Sequence, residues 1–193
     1  MNALGIHPTD GDALILVDVQ HDFLPGGSLA VADGDAVIAP LNAAIEEFTA
    51  EGLPVVATRD WHPTDHISFD AQGGPWPPHC VQGTEGAAFD PTLEIPDDAI
   101  VISKATTSEK DAYSGFEGTN LDERLRSMDV QRVFVGGLAT DYCVLNTVLD
   151  ARRLGYDVVL LADAVRAVNV QRDDEERALA AMADAGAVSV RSA

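Results

Sequence analysis

Cys143 is the residue of this chain best suited to nucleophilic chemistry. It follows an apolar stretch, residues 132–135, and opens a helical run over residues 142–154. A thiol at the start of a helix lies near unpaired N–H groups and the positive end of the helix dipole, and both favour the thiolate. Gly136 and Gly137 would let the backbone turn tightly between strand and helix. The alternative is a small buried hydrophobic residue, the usual fate of a lone cysteine.

Two further reactive side chains come at the ends of other apolar stretches. Asp18 ends the stretch 13–17, and Lys104 ends the stretch 100–103. Ligands of open α/β sheets bind beyond the carboxyl ends of the strands, so we expect both residues near Cys143. Asp18 can act as a general base if burial raises its pKa, and Lys104 can hold the Asp18 and thiolate charges in one site. The alternatives are a loop-bonding carboxylate and a solvated lysine.

A second polar group lies in the long segment 59–98, which is rich in Pro, Gly, His and Trp. Loops of this length are usually functional or disordered, and we interpret this one as a functional, metal-binding region. Three imidazoles and one carboxylate are its candidate ligands: Asp60, His62, His66 and His79. This donor set suits zinc, iron or manganese, and spacing alone does not choose among them. Polar histidines in a wet loop are the alternative, and Cys80 is a weaker candidate ligand than its neighbour His79.

Aromatic residues border both groups. Phe23 follows Asp18, Trp76 precedes His79, and Tyr113 lies beyond Lys104. Together they could enclose a flat ring, although singly such residues more often pack in a core.

The composition limits the classes of protein to consider. The 193 residues predict one domain, residues 1–193, with 46% hydrophobic residues and an ordinary globular core. The formal net charge is −20, from 32 acidic against 12 basic residues, which disfavours nucleic acid and anionic membranes as partners. The acidic residues are dispersed along the chain, as in proteins of salt-loving organisms.

We see no signal peptide and no apolar run of ~20 residues, so we expect a cytoplasmic protein. Two cysteines without a secretory signal do not suggest disulfides.

The elements that must position these residues alternate along the chain. Apolar stretches predict strands at 13–17, 55–58, 100–103, 132–135, 158–162 and 187–190. Amphipathic patterns predict helices at about 37–48, 121–128, 142–154 and 173–185. This alternation indicates an α/β fold with right-handed crossovers and a parallel sheet.

Six sequence segments give the chain a specific resemblance. They are residues 17–23 (VDVQHDF), 25–29 (PGGSL), 58–63 (TRDWHP), 76–84 (WPPHCVQGT), 113–116 (YSGF) and 137–144 (GLATDYCV). With His66 and Lys104 they span nearly the whole chain, and the chain resembles the nicotinamidase/pyrazinamidase group of the isochorismatase-like cysteine hydrolases. The resemblance implies a three-layer, doubly wound, six-stranded parallel sheet in the order 3-2-1-4-5-6, with helices on both faces.

The resemblance also implies roles for the candidate residues. Asp18, Lys104 and Cys143 would form a catalytic triad. The ligands of one divalent ion, zinc in preference to iron or manganese, would be Asp60, His62, His66 and His79. A cis Leu138–Ala139 bond would aim the N–H groups of Ala139 and Cys143 at an oxyanion. Phe23, Trp76 and Tyr113 would contact the substrate, whose ring nitrogen would face the metal. His21 and Tyr142 stand at positions where relatives differ, which leaves details of the substrate pocket open.

The implied reaction converts nicotinamide into nicotinic acid and ammonia through a thioester, as in NAD salvage, with pyrazinamide as a second substrate. One alternative is an isochorismatase, but the presence of Cys143 argues against it. Another is a carbamoyl or ureido amidase, but the set of histidines argues against that. A non-enzymatic metal-binding module is a further alternative, although the triad is intact. Monomers and homo-oligomers both occur in this fold, and the sequence does not choose between them.

Overall fold

The computed structural model describes residues 6–191. Its sheet contains β1 (Asp12–Val17), β2 (Val55–Asp60), β3 (Ile100–Lys104), β4 (Arg132–Leu138), β5 (Asp157–Arg166) and β6 (Val188–Val190). All neighbouring strands are parallel, in the order β3-β2-β1-β4-β5-β6. The predicted α/β class and strand order are therefore confirmed.

Helices cover both faces of the sheet: α1 (Ile38–Ala50), α2 (Leu121–Ser127), α3 (Leu145–Arg153) and α4 (Asp174–Asp184). Every residue of β1 is buried, because its alternating side chains enter two different core layers. Leu14 and Leu16 pack in the layer that includes Phe48 of α1. Ala13 and Ile15 pack in the layer that includes the apolar side chains of α2, α3 and α4, Val148 of α3 among them. Among residues 6–191 no helix combines the length and the apolar character needed to cross a membrane.

The predicted turn at Gly136 and Gly137 is wrong. Both glycines belong to β4, which runs three residues beyond the predicted strand end. The reason is close packing: a Cβ on Gly137, where φ is +124°, would lie 2.1 Å from the Val17 carbonyl oxygen. A Cβ on Gly136 would lie 2.8 Å from a methyl group of Leu41. Gly137 thus allows β4 to lie close to β1, Gly136 allows it to lie close to α1, and the chain turns later.

The strand register sets the position of the reactive edge. Val17, the last residue of β1, pairs with Thr58 of β2 and with Gly137 of β4. The ends of β2 and β3 are also level, since Asp60 pairs with Lys104. The carboxyl ends of the four adjacent strands β3, β2, β1 and β4 therefore meet at one end of the sheet, where parallel α/β sheets bind ligands.

Candidate active site

The ammonium group of Lys104 lies at the centre of the reactive edge. Its Nζ is 2.8 Å from Asp18 Oδ2, contacts Asp60 Oδ1 directly, and lies 3.5 Å from Cys143 Sγ. Only 1% of Lys104 is exposed, so water screens these charges little. Burial opposes the charge on Lys104, but the carboxylates of Asp18 and Asp60 outweigh it and raise the pKa of the ammonium. The three residues predicted as a catalytic triad thus meet around one buried cation.

Asp18 has the environment of a general base. It follows β1 directly with a φ of +50°, in the left-handed region, and is fully buried. The Thr58 hydroxyl donates to its Oδ1 at 2.6 Å. Lys104 forms an ion pair with Oδ2, but this oxygen accepts no aligned hydrogen bond from the described residues. Burial raises the pKa of Asp18, and Lys104 offsets that only in part, so the carboxylate is more basic than an exposed aspartate.

Cys143 lies within a π-helical turn, Thr140–Val144, that joins β4 to α3. The residue is 6% exposed, and burial raises the pKa of its thiol well above the ordinary range even though Lys104 acts against this. The expectation that the helix start favours a thiolate is therefore wrong for this site, because desolvation of the charged sulfur outweighs the nearby positive charges. The thiol keeps its proton until a base takes it.

A second cluster adjoins the triad. The metal cluster, as we call Asp60, His62 and His79, brings together one donor atom from each residue, all within 4.8 Å of one another and all buried. His62 Nδ1 lies 3.2 Å from the Ala105 carbonyl, and His79 Nδ1 lies 2.8 Å from the Pro77 carbonyl. A carbonyl only accepts, so in the neutral form of each ring Nδ1 carries the proton and Nε2 has a lone pair available to a metal ion.

These tautomers are the ones that metal-binding histidines adopt. Burial lowers the pKa of His79, which keeps its ring neutral and able to coordinate a cation. Asp60 completes the set: burial would raise its pKa, but Lys104 outweighs this and holds the pKa well below the usual range. The donor chemistry of the metal cluster thus fits a divalent ion such as zinc.

His66 lies beside the metal cluster and outside its group of donor atoms. Its ring stacks on the His62 ring with centroids 4.1 Å apart. Its Nε2 lies 3.0 Å from the Lys110 carbonyl, and its Nδ1 lies 2.7 Å from the Ser68 hydroxyl. To coordinate an ion through Nε2, the ring would have to leave that carbonyl, and its role as a fourth ligand stays a prediction.

Cys80 and the group formed by Asp18, Asp60 and Cys143 are less suited to a metal ion than the metal cluster is. Burial raises the pKa of Cys80 far above the ordinary range, and its sulfur is not among the donor atoms that the metal cluster brings together. Asp18, Asp60 and Cys143 also have donor atoms within 4.8 Å of one another, but the Lys104 ammonium already supplies the positive charge among them. Asp60 therefore belongs to both groups, with Oδ1 toward Lys104 and Oδ2 3.6 Å from His62 Nε2.

One cavity joins the two groups. Cys143 and all three members of the metal cluster line it. The predicted ring-binding residues Phe23, Trp76 and Tyr113 also line it, as does Ala139. The Leu138–Ala139 peptide bond is cis, as the resemblance implied. A cavity of this kind, apolar with a few convergent polar groups, is typical of small-molecule sites.

A family comparison agrees with this geometry. The isochorismatase domain family matches residues 12–193. The chain belongs to the isochorismatase family.

Relatives of known structure and name lie within this family. The chain is 41% identical to the nicotinamidase of Escherichia coli (strain K12), with 91% of this chain and 92% of the relative covered. The zinc complex of the pyrazinamidase of Pyrococcus horikoshii is 52% identical, with a TM-score of 0.90 over 94% of this chain and 99% of that one. PnC1 of L. infantum, in complex with nicotinate, is 42% identical, with a TM-score of 0.87 over 94% and 93%.

In this isochorismatase-family site, the structure adds residues that the sequence did not assign. Tyr142 lines the cavity and contacts two of the predicted ring-binding residues, with ring centroids 5.2 Å from Trp76 and 5.5 Å from Tyr113. Its position next to Cys143 was the only signal for it. His21, by contrast, lies outside the cavity lining and has Nδ1 4.0 Å from Asp90 Oδ2.

Thr58 was also missed, although it opens one of the six segments. Its hydroxyl orients Asp18, and its position opposite Val17 follows only from the strand register.

Proposed function

We propose that this protein is a nicotinamidase that hydrolyses nicotinamide to nicotinic acid and ammonia, with pyrazinamide as a second substrate. The observation that carries this proposal is the shared cavity, in which a cysteine next to a buried base faces a metal cluster. A nucleophile alone would fit any amidase of the family. The metal cluster beside it selects a substrate with a second, metal-seeking group, such as a pyridine nitrogen.

The names of the relatives support the same substrate. The Escherichia coli relative is a nicotinamidase, and the L. infantum protein was solved with nicotinate, the product of that reaction. Both match this chain over nine-tenths of its length. A flat aromatic ring also suits a cavity lined by Phe23, Trp76, Tyr113 and Tyr142.

The first half of the proposed reaction forms a thioester. Asp18 takes the thiol proton of Cys143, and the sulfur attacks the amide carbon of the substrate. The donor atoms of these two residues lie within 4.8 Å of each other, so a small movement of either side chain brings the thiol within hydrogen-bond reach of the base. Lys104, beside both, stabilises the negative charge whether it resides on the carboxylate or on the sulfur.

The amide oxygen becomes an oxyanion when the carbon–sulfur bond forms. We assign the N–H groups of Ala139 and Cys143 as its donors, because both residues line the cavity where that oxygen must lie. Loss of one such donor typically costs about 10²–10³ in rate. Collapse of the oxyanion breaks the carbon–nitrogen bond, and Asp18 returns its proton to the leaving ammonia.

Water completes the reaction. Asp18, again unprotonated, takes a proton from a water molecule, whose oxygen attacks the thioester carbon. The carbon–sulfur bond then breaks, the sulfur regains its proton, and nicotinic acid leaves.

Asp60, His62 and His79 would hold the metal ion, with His66 as the predicted fourth ligand. We take this ion to be zinc, because the Pyrococcus horikoshii relative was solved in complex with zinc. When bound, zinc supplies a Lewis acid that attracts the ring nitrogen of the substrate.

The decisive experiment measures ammonia release by the purified protein from nicotinamide, pyrazinamide and a ureido compound. We expect turnover of the first two, together with a nicotinoyl adduct on Cys143 that rapid quenching and mass spectrometry would locate. Turnover of the ureido compound alone would assign the protein to another amidase group of the family. No ammonia from any substrate would refute the proposal.

A further inference from the structure

We propose that Gln20 and Asp22 form a brace that holds the metal cluster in its binding geometry. Neither residue reaches the cavity, and neither has a role in the reaction described above. Gln20 binds the backbone of Asp60, and Asp22 binds the backbone next to His79. The brace rests on the proposed function, because it serves the metal site that the function requires.

Gln20 replaces a missing strand beside Asp60. Strand β1 ends at Val17, opposite Thr58, so β2 extends two residues beyond its neighbour. Backbone groups of a strand alternate sides, so Asp60 faces the same side as Thr58, where no strand remains. The Gln20 carboxamide fills that place: its Nε2 donates to the Asp60 carbonyl at 2.8 Å, and its Oε1 accepts from the Asp60 N–H at 2.8 Å.

The same carboxamide extends to a third backbone group. Its Nε2 also donates to the Ala87 carbonyl at 2.9 Å, which ties β2 to the later part of the loop region 59–98. Gln20 is 0% exposed, so these bonds do not compete with water. A buried side chain that makes two of its three hydrogen bonds to the backbone of one ligand residue is well placed to fix that ligand.

Asp22 acts on the other side of the metal cluster. Its Oδ2 accepts from the N–H of Cys80 at 2.7 Å, and Cys80 is held at a φ of +46° directly after His79. The carboxylate packs tightly on Gly86, where a Cβ would lie 2.1 Å from Oδ2. Any larger residue at 86 would push the carboxylate away, so the chain leaves room for it at that point.

The two contacts have a common consequence for metal binding. Asp60 comes from a strand end and His79 from a loop, so neither element by itself fixes the distance between their donor atoms. The brace links both to one short segment after β1. Residues that orient metal ligands without touching the metal typically contribute about 10–100-fold to its affinity.

The test compares metal affinity among full-length variants. Gln20→Met keeps the side-chain length and loses all three hydrogen bonds. Asp22→Leu keeps the approximate size and loses both acceptors, Oδ1 toward the Ser28 N–H and Oδ2 toward the Cys80 N–H. Asn42→Leu is the matched control, because its carboxamide also donates to one carbonyl, Thr92 at 2.8 Å, and accepts from one N–H, Glu94 at 2.9 Å, away from the cavity. Each protein is stripped with a chelator and titrated with cobalt(II) or zinc(II) against a chromophoric competitor, and its melting temperature is recorded.

We expect both brace variants to bind the ion about 10–100-fold more weakly, and the control to bind it as the parent protein does. Equal affinity in the parent and both brace variants would overturn the brace. A loss that also occurs in Asn42→Leu and follows melting temperature would overturn it too, since it would show a general effect of stability.

Failure of the parent protein to bind either ion would contradict the proposed metal site, and thus the proposed function. If Gln20→Met does not fold, Gln20→Glu replaces it, because glutamate keeps the acceptor for the Asp60 N–H and loses both donors.

Discussion

Replacing Lys104 by methionine tests the arrangement of charges at the centre of the site. Methionine has nearly the same length and lacks the charge, so the change removes the ammonium and leaves the surrounding packing largely in place. Asp18 and Asp60 would then face each other without the cation that both contact. All three side chains are buried, so water cannot replace the lost partner.

The expected magnitude follows from this burial. Removing one partner of a buried ion pair costs about 3–5 kcal/mol, because the remaining charge is left uncompensated. For a chain of this size that loss lowers the melting temperature by roughly 6–20 °C. Two carboxylates share Lys104, so we expect a value in the upper half of that range. Amidase activity should fall to background, since the thiolate would form beside two unneutralised acids.

The chain provides a matched control, because its only other lysine is Lys110. Lys110 is exposed, and Lys110→Met should change stability by no more than about 0.5 kcal/mol. The double variant Lys104→Met, Asp18→Asn removes the cation and also one of the two carboxylates that would otherwise be left unpaired. It should regain part of the lost stability and none of the activity, because the base is gone.

Thermal unfolding followed by circular dichroism, together with ammonia release from nicotinamide, measures both effects. A Lys104→Met protein that melts within about 2 °C of the parent would refute the reasoning, since such a shift corresponds to less than about 1 kcal/mol. So would a double variant less stable than Lys104→Met, because the acids would then not repel each other.

Three further predictions follow from the site and the composition. Cys143→Ala should fold normally and lose amidase activity, whereas Cys80→Ala should keep most of it; appreciable activity in Cys143→Ala would rule out the thioester route. Benzamide, which lacks the ring nitrogen, should be a poor substrate, and metal removal should raise KM for nicotinamide; equal turnover of the two amides would contradict docking of the ring at the metal. The melting temperature should rise steeply between about 0.1 M and 2 M potassium chloride. The net charge is −20, and the Debye length, over which these charges repel one another, falls from ~10 Å at 0.1 M to ~3 Å at 1 M. A flat or falling trend would show that the acidity is not an adaptation to salt.

The sequence by itself determined the sheet and the residues at its reactive edge. Apolar stretches and helical periodicity are local signals, and they located the strands and helices to within a few residues except at β4 and β5. Asp18 and Lys104 could be identified because each ends an apolar stretch, and parallel strands bring such ends to one edge. The candidate ligands could be identified from their donor atoms alone.

Only the tertiary structure decided which atoms meet and with what charge. Asp60 and Lys104 are 44 positions apart in the chain, and their contact depends on the register of β2 and β3. His66 is separated from the donor atoms of the metal cluster because its ring nitrogens meet Ser68 and the Lys110 carbonyl. The pKa of Cys143 rises because packing removes water from the sulfur, an effect that no local pattern encodes. The residues where a strand begins and ends are indicated by the neighbouring sequence, whereas desolvation and ion pairing arise only when distant segments pack together.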